Sequence, residues 1–395
     1  MMKRVKILLI SFVFIAPTYG QKIVSATDAV NSALRRSGNL AATDLAVLQQ
    51  KQLLKGSFNL PNPEVFVESP TGNFYTVSIT QTSEFPTVYK RQHQLQKEKI
   101  VLAEKEKDAM ANEIKFQVRQ IYLTLQYTYA VQQQLYLQDT IYENISKAAS
   151  RQFGAGQIDY LQKTFSEAQY GDIHNQYLQT GLMIGNLQNQ LQFLTGMTET
   201  FLTEPLNINP LIETTVLIDS TAFSVNPTLQ IVQQSALIAQ KNVLLQKSKA
   251  LPGLAFGYFN QGEKNTVFQN RFRIGTTIPL WQGQYKSSIS AAKTEVDISK
   301  QKMQGVQQQI TFQLLEAQNN LLVSAQSLNY YQKSGIKKST DMIETAKRFF
   351  QNGENDYINY LRNINDGYAT QLKYLEVVRN YNQSIININY LKGTL

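Results

Sequence analysis

Two short stretches decide the fold: residues 151–161, RQFGAGQIDYL, and residues 348–358, RFFQNGENDYI. They align without a gap, so that Gly156 falls on Gly353, and the alignment continues at the same offset as far as Gly196 and Gly393. A self-match at one constant offset indicates an internal duplication. The sequence therefore predicts one structural unit written twice.

The duplication organises the whole chain. We assign residues 1–20 to a signal peptide, 21–196 to a first repeat, 197–228 to a connector in the equatorial region of the molecule, and 229–395 to a second repeat. Each repeat reads as a helix, a β-hairpin, and then a long helical hairpin. The β-hairpins fall at about 63–85 and 253–279, and the helical hairpins at 86–196 and 280–395.

The helical hairpins are unusually long. From Pro86 to about Arg151 there is neither proline nor glycine, and a helix of that length would extend roughly 100 Å at 1.5 Å per residue. Small or apolar residues follow a 4-3 spacing that is typical of a narrow helix-packing seam. The seam consists of Ile114, Val118, Ile121, Leu125 and Tyr129 in the first repeat, and of Ile310, Leu314, Ala317, Leu321 and Ala325 in the second.

Between these helices the pattern switches to a period of two residues. Tyr75, Val77 and Ile79 alternate with threonine and serine, and a similar alternation follows Phe268. One apolar and one polar face fits a barrel wall between lipid and a wet lumen, and it fits a half-buried soluble sheet equally well. Four strands cannot close a barrel, whereas three chains supply twelve strands, which favours a trimer.

The N-terminus and the composition limit the cellular location. Lys3, Arg4 and Lys6 precede a short apolar run, Ile7 to Ile15, which predicts a cleaved signal peptide, with an uncleaved anchor as the alternative. The chain contains no cysteine, so it can form no disulfide. A net charge of +9 is mild for 395 residues, and no cluster of Lys and Arg indicates nucleic-acid binding.

Residues for catalysis are missing from the sequence. The two histidines, His93 and His174, have no acidic or second histidine partner one helical turn away, and there is no cysteine, which disfavours a zinc site. Nucleotide-binding and serine-hydrolase motifs are also absent. Gly154-Ala155-Gly156 suits a helix-to-helix turn better than a phosphate loop. We therefore expect no enzyme activity, cofactor or bound metal.

The duplicated plan, the signal peptide and the two repeated turns together resemble the TolC-like outer-membrane factors. Asn226-Pro227 near the start of the second repeat is also typical of this family. The stretches most similar to the heavy-metal efflux branch, the CzcC/CusC-like proteins, are Leu60-Pro61-Asn62-Pro63-Glu64, the Phe85-Pro86 boundary and Thr277-Ile278-Pro279-Leu280. The resemblance implies a mixed α+β membrane protein that forms a homotrimer. Its 12-stranded β-barrel would lie in outer-membrane lipid, and its 12-helix tunnel would extend into the periplasm.

In function, the resemblance implies the outer-membrane channel of a tripartite efflux system, and the likeness to the heavy-metal branch implies heavy-metal ions as its cargo. A periplasmic adaptor (membrane fusion) protein would couple it to an inner-membrane transporter of the RND type. Two alternatives stay open: an exit channel for type I polypeptide secretion, and a periplasmic coiled-coil structural protein without a pore.

The same resemblance assigns two groups of site residues. The residues of the turn at the inner tip, where an adaptor would bind, are Arg151, Phe153, Gly156, Asp159 and Tyr160 with Arg348, Phe350, Gly353, Asp356 and Tyr357. The aperture candidates one turn further on are Gln162, Phe165, Asn359 and Arg362. Many family members carry acidic residues at the aperture, and this sequence does not. Arg362 would make the constriction basic.

Overall fold

The computed structural model describes residues 22–69, 75–209, 225–259, 271–354 and 356–395. The predicted signal peptide, the tips of both predicted hairpins, Phe268 and residues 210–224 of the connector lie outside these residues.

Helices make up most of the described chain. They are α1 (Ala26–Arg36), α2 (Gly38–Lys55), α3 (Pro86–Gly154), α4 (Tyr160–Thr195), α5 (Pro227–Lys249), α6 (Gln282–Tyr330), α7 (Ile336–Gln351) and α8 (Tyr357–Lys392). With 69 residues, α3 is about 100 Å long. It starts at a proline, which is well suited to the first turn because the missing N–H would have no helical partner there. Among the described residues, no helix has the length and apolar character needed to cross a membrane.

The helical segment that follows the β-hairpin differs between the two repeats. The first repeat has the continuous α3, whereas in the second a π-helical turn, Tyr331–Gly335, separates α6 from α7. A side chain at Gly335 would collide with the ring of Tyr331, because a Cβ there would lie 2.7 Å from Cδ1. The glycine thus allows the wider turn to pack.

The strands form two sheets. In the larger one, β2 (Glu64–Glu68), β3 (Thr76–Ser83), β5 (Gly253–Phe259) and β6 (Phe272–Thr277) lie in the order β2-β3-β5-β6, and each pair is antiparallel. The hairpins of the two repeats therefore join edge to edge in one sheet. In the smaller sheet β1 (Lys22–Val24) pairs in parallel with β4 (Phe201–Thr203). This pairing holds the start of the connector beside the N-terminal segment.

The predicted face alternation is present in the larger sheet. Val77 and Ile79 are about half exposed, whereas Thr76 and Ser78 on the other face are buried. On β6, Phe272 and Ile274 are exposed. A single chain thus presents its apolar sheet face to the outside.

Within the described part of the chain, buried apolar residues form three separate clusters along the helices. One joins α1, α3, α4 and β4 around Val118 and Leu125, and a second joins α6 and α8 around Leu314 and Leu321. These four residues belong to the predicted seams, and all four are buried. The third cluster joins the far ends of the helical hairpins and is described next. The buried apolar surface is therefore spread along the length of the helices and is not gathered in one core.

Candidate functional site: the paired turns at the helical tip

The two repeated turns have the same backbone structure. In the first, the N–H of Gly156 donates to the Phe153 carbonyl at 2.9 Å and the N–H of Gln157 to the Gln152 carbonyl at 2.9 Å. These are the two hydrogen bonds of a Schellman motif, which ends a helix through a residue in the left-handed region. Gly156 has a φ of 71°, a value that glycine adopts without steric cost.

The second turn repeats this pattern. Gly353, with a φ of 76°, donates to the Phe350 carbonyl at 3.1 Å, and Glu354 donates to the Phe349 carbonyl at 2.8 Å. Both tip glycines thus have a positive φ. At neither glycine would an added Cβ meet another atom within 4 Å, so the requirement for glycine lies in the backbone.

Each turn is followed by a capped helix. Asp159 accepts a hydrogen bond from the N–H of Gln162 at 2.8 Å, and Asp356 accepts one from the N–H of Asn359 at 2.7 Å. An aspartate at the N-cap satisfies a backbone N–H that lacks a helical acceptor. The aspartates thereby fix the start of α4 and α8, and with it the orientation of the residues that follow.

The surroundings of the two turns differ. Tyr160 in the first turn is 67 % exposed, whereas its repeat equivalent Tyr357 is 4 % exposed. Phe153 meets Tyr160 edge-on at 5.9 Å between ring centroids, at the surface. Phe350 contacts Tyr357 at 4.8 Å and stacks on Tyr360 at 4.4 Å. The first turn thus exposes its aromatic rings at the surface, whereas the rings of the second turn face inward.

The inward-facing rings belong to the third cluster, here called the tip cluster. Its buried members are Tyr142, Ile145, Ala149, Ile173, Ala346, Tyr357, Tyr360, Leu361, Ile364 and Tyr368. Burial raises the pKa of the Tyr142, Tyr360 and Tyr368 hydroxyls above the ordinary tyrosine value, because desolvation disfavours the phenolate. Burial also raises the pKa of Tyr357, and the nearby Arg151 acts in the opposite direction. The cluster therefore brings the two turns together, with Arg151 of one near Tyr357 of the other.

The aperture candidates follow the caps. Asn359 and Arg362 are exposed on α8, three residues apart and hence on one side of the helix. Among the described residues Arg362 forms no ion pair with Asp356 or Asp366, and the Asp356 carboxylate serves as the cap. Of the candidates on α4, Gln162 is half-buried and Phe165 packs against the tip cluster.

Sequence reasoning missed the buried polar residues of this region. On α3, Gln138 and Tyr142 are buried one turn apart, and neither the Gln138 amide nitrogen nor the Tyr142 hydroxyl has a hydrogen-bond partner within the described chain. The His174 side chain on α4 is 43% exposed and lies 3.0 Å from Asp139 on α3. This contact spans 35 positions of the sequence, so no local spacing reveals it.

The class of protein follows from comparison with known families. Residues 220–394 match the sequence model of the outer membrane efflux protein family. The match covers the second repeat, and it confirms the resemblance to the TolC-like outer-membrane factors. No curated protein sequence matches the chain significantly.

Solved structures extend this likeness to the whole fold. The CmeC outer membrane channel of Campylobacter jejuni superimposes with a TM-score of 0.76 at 15% sequence identity, covering 99% of this chain and 94% of that one. The outer membrane protein VceC of Vibrio cholerae gives 0.76 at 12% identity, covering 93% and 96%. The MtrE outer membrane channel of Neisseria gonorrhoeae, in its open state, gives 0.74 at 12% identity, covering 93% and 88%. This chain therefore has the fold of those channels along almost its entire length.

Proposed function

We propose that the chain is the outer-membrane channel of a tripartite efflux system. In this proposal three copies form a passive exit duct, with a 12-stranded barrel in outer-membrane lipid and a 12-helix tunnel in the periplasm. A periplasmic adaptor couples the duct to an inner-membrane pump of the RND type.

One observation carries the proposal: helices about 100 Å long continue from a sheet whose apolar face is exposed, in a fold shared with outer membrane channels. The exposed apolar residues of the sheet are Val65, Val67, Val77, Ile79, Phe256, Phe272 and Ile274. Water disfavours such a surface, whereas the acyl chains of a bilayer suit it. The alternative, a periplasmic coiled-coil structural protein without a pore, does not explain an exposed apolar sheet face.

The adaptor contact is proposed at the tip turns. Phe153, Tyr160 and Leu161 are exposed at the end of the α3–α4 hairpin, and exposed aromatic residues are enriched where proteins bind partners. The turn is rigid because the cap and the Schellman hydrogen bonds fix its backbone. An adaptor tip would therefore meet a preformed surface there.

The aperture is proposed at Asn359 and Arg362. Three copies around one axis would bring three guanidinium groups together, and arginine stays charged at any working pH. Such a ring would favour anions over cations and would disfavour the passage of free metal cations. The proposal of heavy-metal ions as the cargo therefore rests only on the resemblance of the Leu60–Glu64 and Thr277–Leu280 stretches to the heavy-metal branch.

Two measurements test the proposal. Outer-membrane fractions should contain a trimer that dissociates on heating, and deletion of the gene should raise sensitivity to metal ions, with restoration by the wild-type chain. Sensitivity to drugs alone, or loss of a secreted polypeptide, would reassign the cargo. A chain found only as a soluble monomer would refute the channel.

A matched pair of variants tests the tip. Gly156→Val together with Gly353→Val should abolish export and adaptor cross-linking while membrane insertion remains, because valine is strongly disfavoured at positive φ. Gly154→Ala, at the last residue of α3, should export normally. Normal export by the double variant would remove the turns from the adaptor site.

A further inference from the structure

The four-stranded sheet has two edges, β2 and β6. An edge strand exposes backbone N–H and C=O groups that can pair with another strand. Because each neighbouring pair in the order β2-β3-β5-β6 is antiparallel, β6 runs opposite to β2. A second copy placed beside the first would therefore continue the same antiparallel sheet, with its β2 next to the first copy's β6.

The two edges carry opposite charges. Strand β2 has Glu64 and Glu68, and β6 has Arg273. All three side chains are exposed, and among the described residues none of the three forms an ion pair. The β2 edge of the sheet is therefore acidic and the β6 edge is basic.

The register places these charges on the same face. Glu64 pairs with Thr80, Thr80 with Gly257, and Gly257 with Arg273. Residues directly opposite each other on neighbouring strands share a face, so Glu64 and Arg273 point to the same side. Glu68, four residues from Glu64, does so too. The guanidinium of Arg273 lies 4.9 Å from the ring centroid of Phe259 on this side, opposite the apolar face.

We infer that Glu64 and Glu68 on β2 of one copy form ion pairs with Arg273 on β6 of the next, at the seam where copies of this chain close the sheet. The inference rests on the proposed function, since it needs copies arranged around an axis. Each copy would offer one acidic and one basic edge, which is a head-to-tail contact and closes into a ring. Two β2 edges, or two β6 edges, would carry like charges and repel each other. The charges therefore favour the pairing of β2 with β6.

Charge reversal tests the seam. Glu64→Lys with Glu68→Lys, and separately Arg273→Glu, should each lower the yield of heat-dissociable trimer about tenfold, since unfavourable cross-strand pairs then act at all three seams. Combining the three substitutions should restore most of the trimer. Thr82→Lys is the control, because it adds a charge to the same face on β3, away from both edges. Wild-type yield in the single-edge variants, or a combination no better than either, would overturn the inference.

Cross-linking gives a measurement that does not depend on the yield. The chain has no cysteine, so introduced cysteines react alone. Glu68→Cys with Arg273→Cys should give covalent dimers and trimers with a short bis-maleimide, whereas Val67→Cys with Arg273→Cys, on opposite faces, should not. A wild-type chain that stays monomeric contradicts the proposed function itself. The wild-type chain can form a trimer while neither Glu64→Cys nor Glu68→Cys cross-links to Arg273→Cys. That result overturns the proposed seam and leaves the proposed function standing.

Discussion

Replacing Gly156 by alanine tests whether the tip turn needs a residue with positive φ, independently of side-chain packing. The φ of Gly156 is 71°, and an added Cβ would have no atom within 4 Å. The cost is therefore that of placing an L-residue in the left-handed region, about 1–2 kcal/mol. We expect the Gln157 amide, which donates to the Gln152 carbonyl, to lose protection from hydrogen exchange by a factor of about 5–30. Hydrogen exchange with mass spectrometry of the purified protein measures this change.

The matched control is Gly154→Ala. Gly154 is the last residue of α3, has no positive φ, and also has open space around its Cβ position. Alanine there should leave the exchange rate unchanged or lower it, since glycine costs up to about 1 kcal/mol more than alanine in a helix. Equal behaviour of the Gly156 and Gly154 variants would refute the argument that the turn needs a left-handed residue.

Three further predictions concern the sheet, the aperture and Tyr122, a buried tyrosine of α3. Val77→Arg should destabilise the trimer by about 2–4 kcal/mol if the apolar face meets lipid near the bilayer midplane, whereas Val77→Leu should not; heat dissociation measures both. Arg362→Ala should raise single-channel conductance and reduce anion preference, and Lys347→Ala, which removes an exposed cation from α7, should change neither. Burial raises the pKa of Tyr122 to about 12, so its folded form keeps the proton that the unfolded form loses above about pH 10. Stability should therefore fall between about pH 10 and 12, and it should fall less in Tyr122→Phe, as followed by thermal unfolding.

The long helices and the turns follow from local rules that the sequence displays. Pro86 marks the start of α3, and Gly156 and Gly353 adopt the positive φ that their place after a helix predicts. The aspartates Asp159 and Asp356 lie at N-caps, where aspartate is favoured. These features depend on residues a few positions apart, so one sequence suffices to predict them.

The environment of each turn could not be read from the sequence. Tyr160 and Tyr357 are equivalent in the repeat, yet one is exposed and the other is buried against Phe350. The difference arises because the second turn packs on α3 through Tyr142, a contact between residues more than two hundred positions apart. The π-helical turn at Tyr331–Gly335 was not predicted either. Its first-repeat counterpart lies within the regular α3, so the repeat pattern gave no signal for it.

Single-channel recording is the most direct test of whether this chain forms a pore. Protein purified from outer-membrane fractions should insert into planar lipid bilayers and give discrete, uniform current steps, with one step per trimer. Cross-linking the same preparation should give covalent trimers as the largest major product. A preparation that is folded by circular dichroism, and yet gives no current steps and no trimers, would contradict the account.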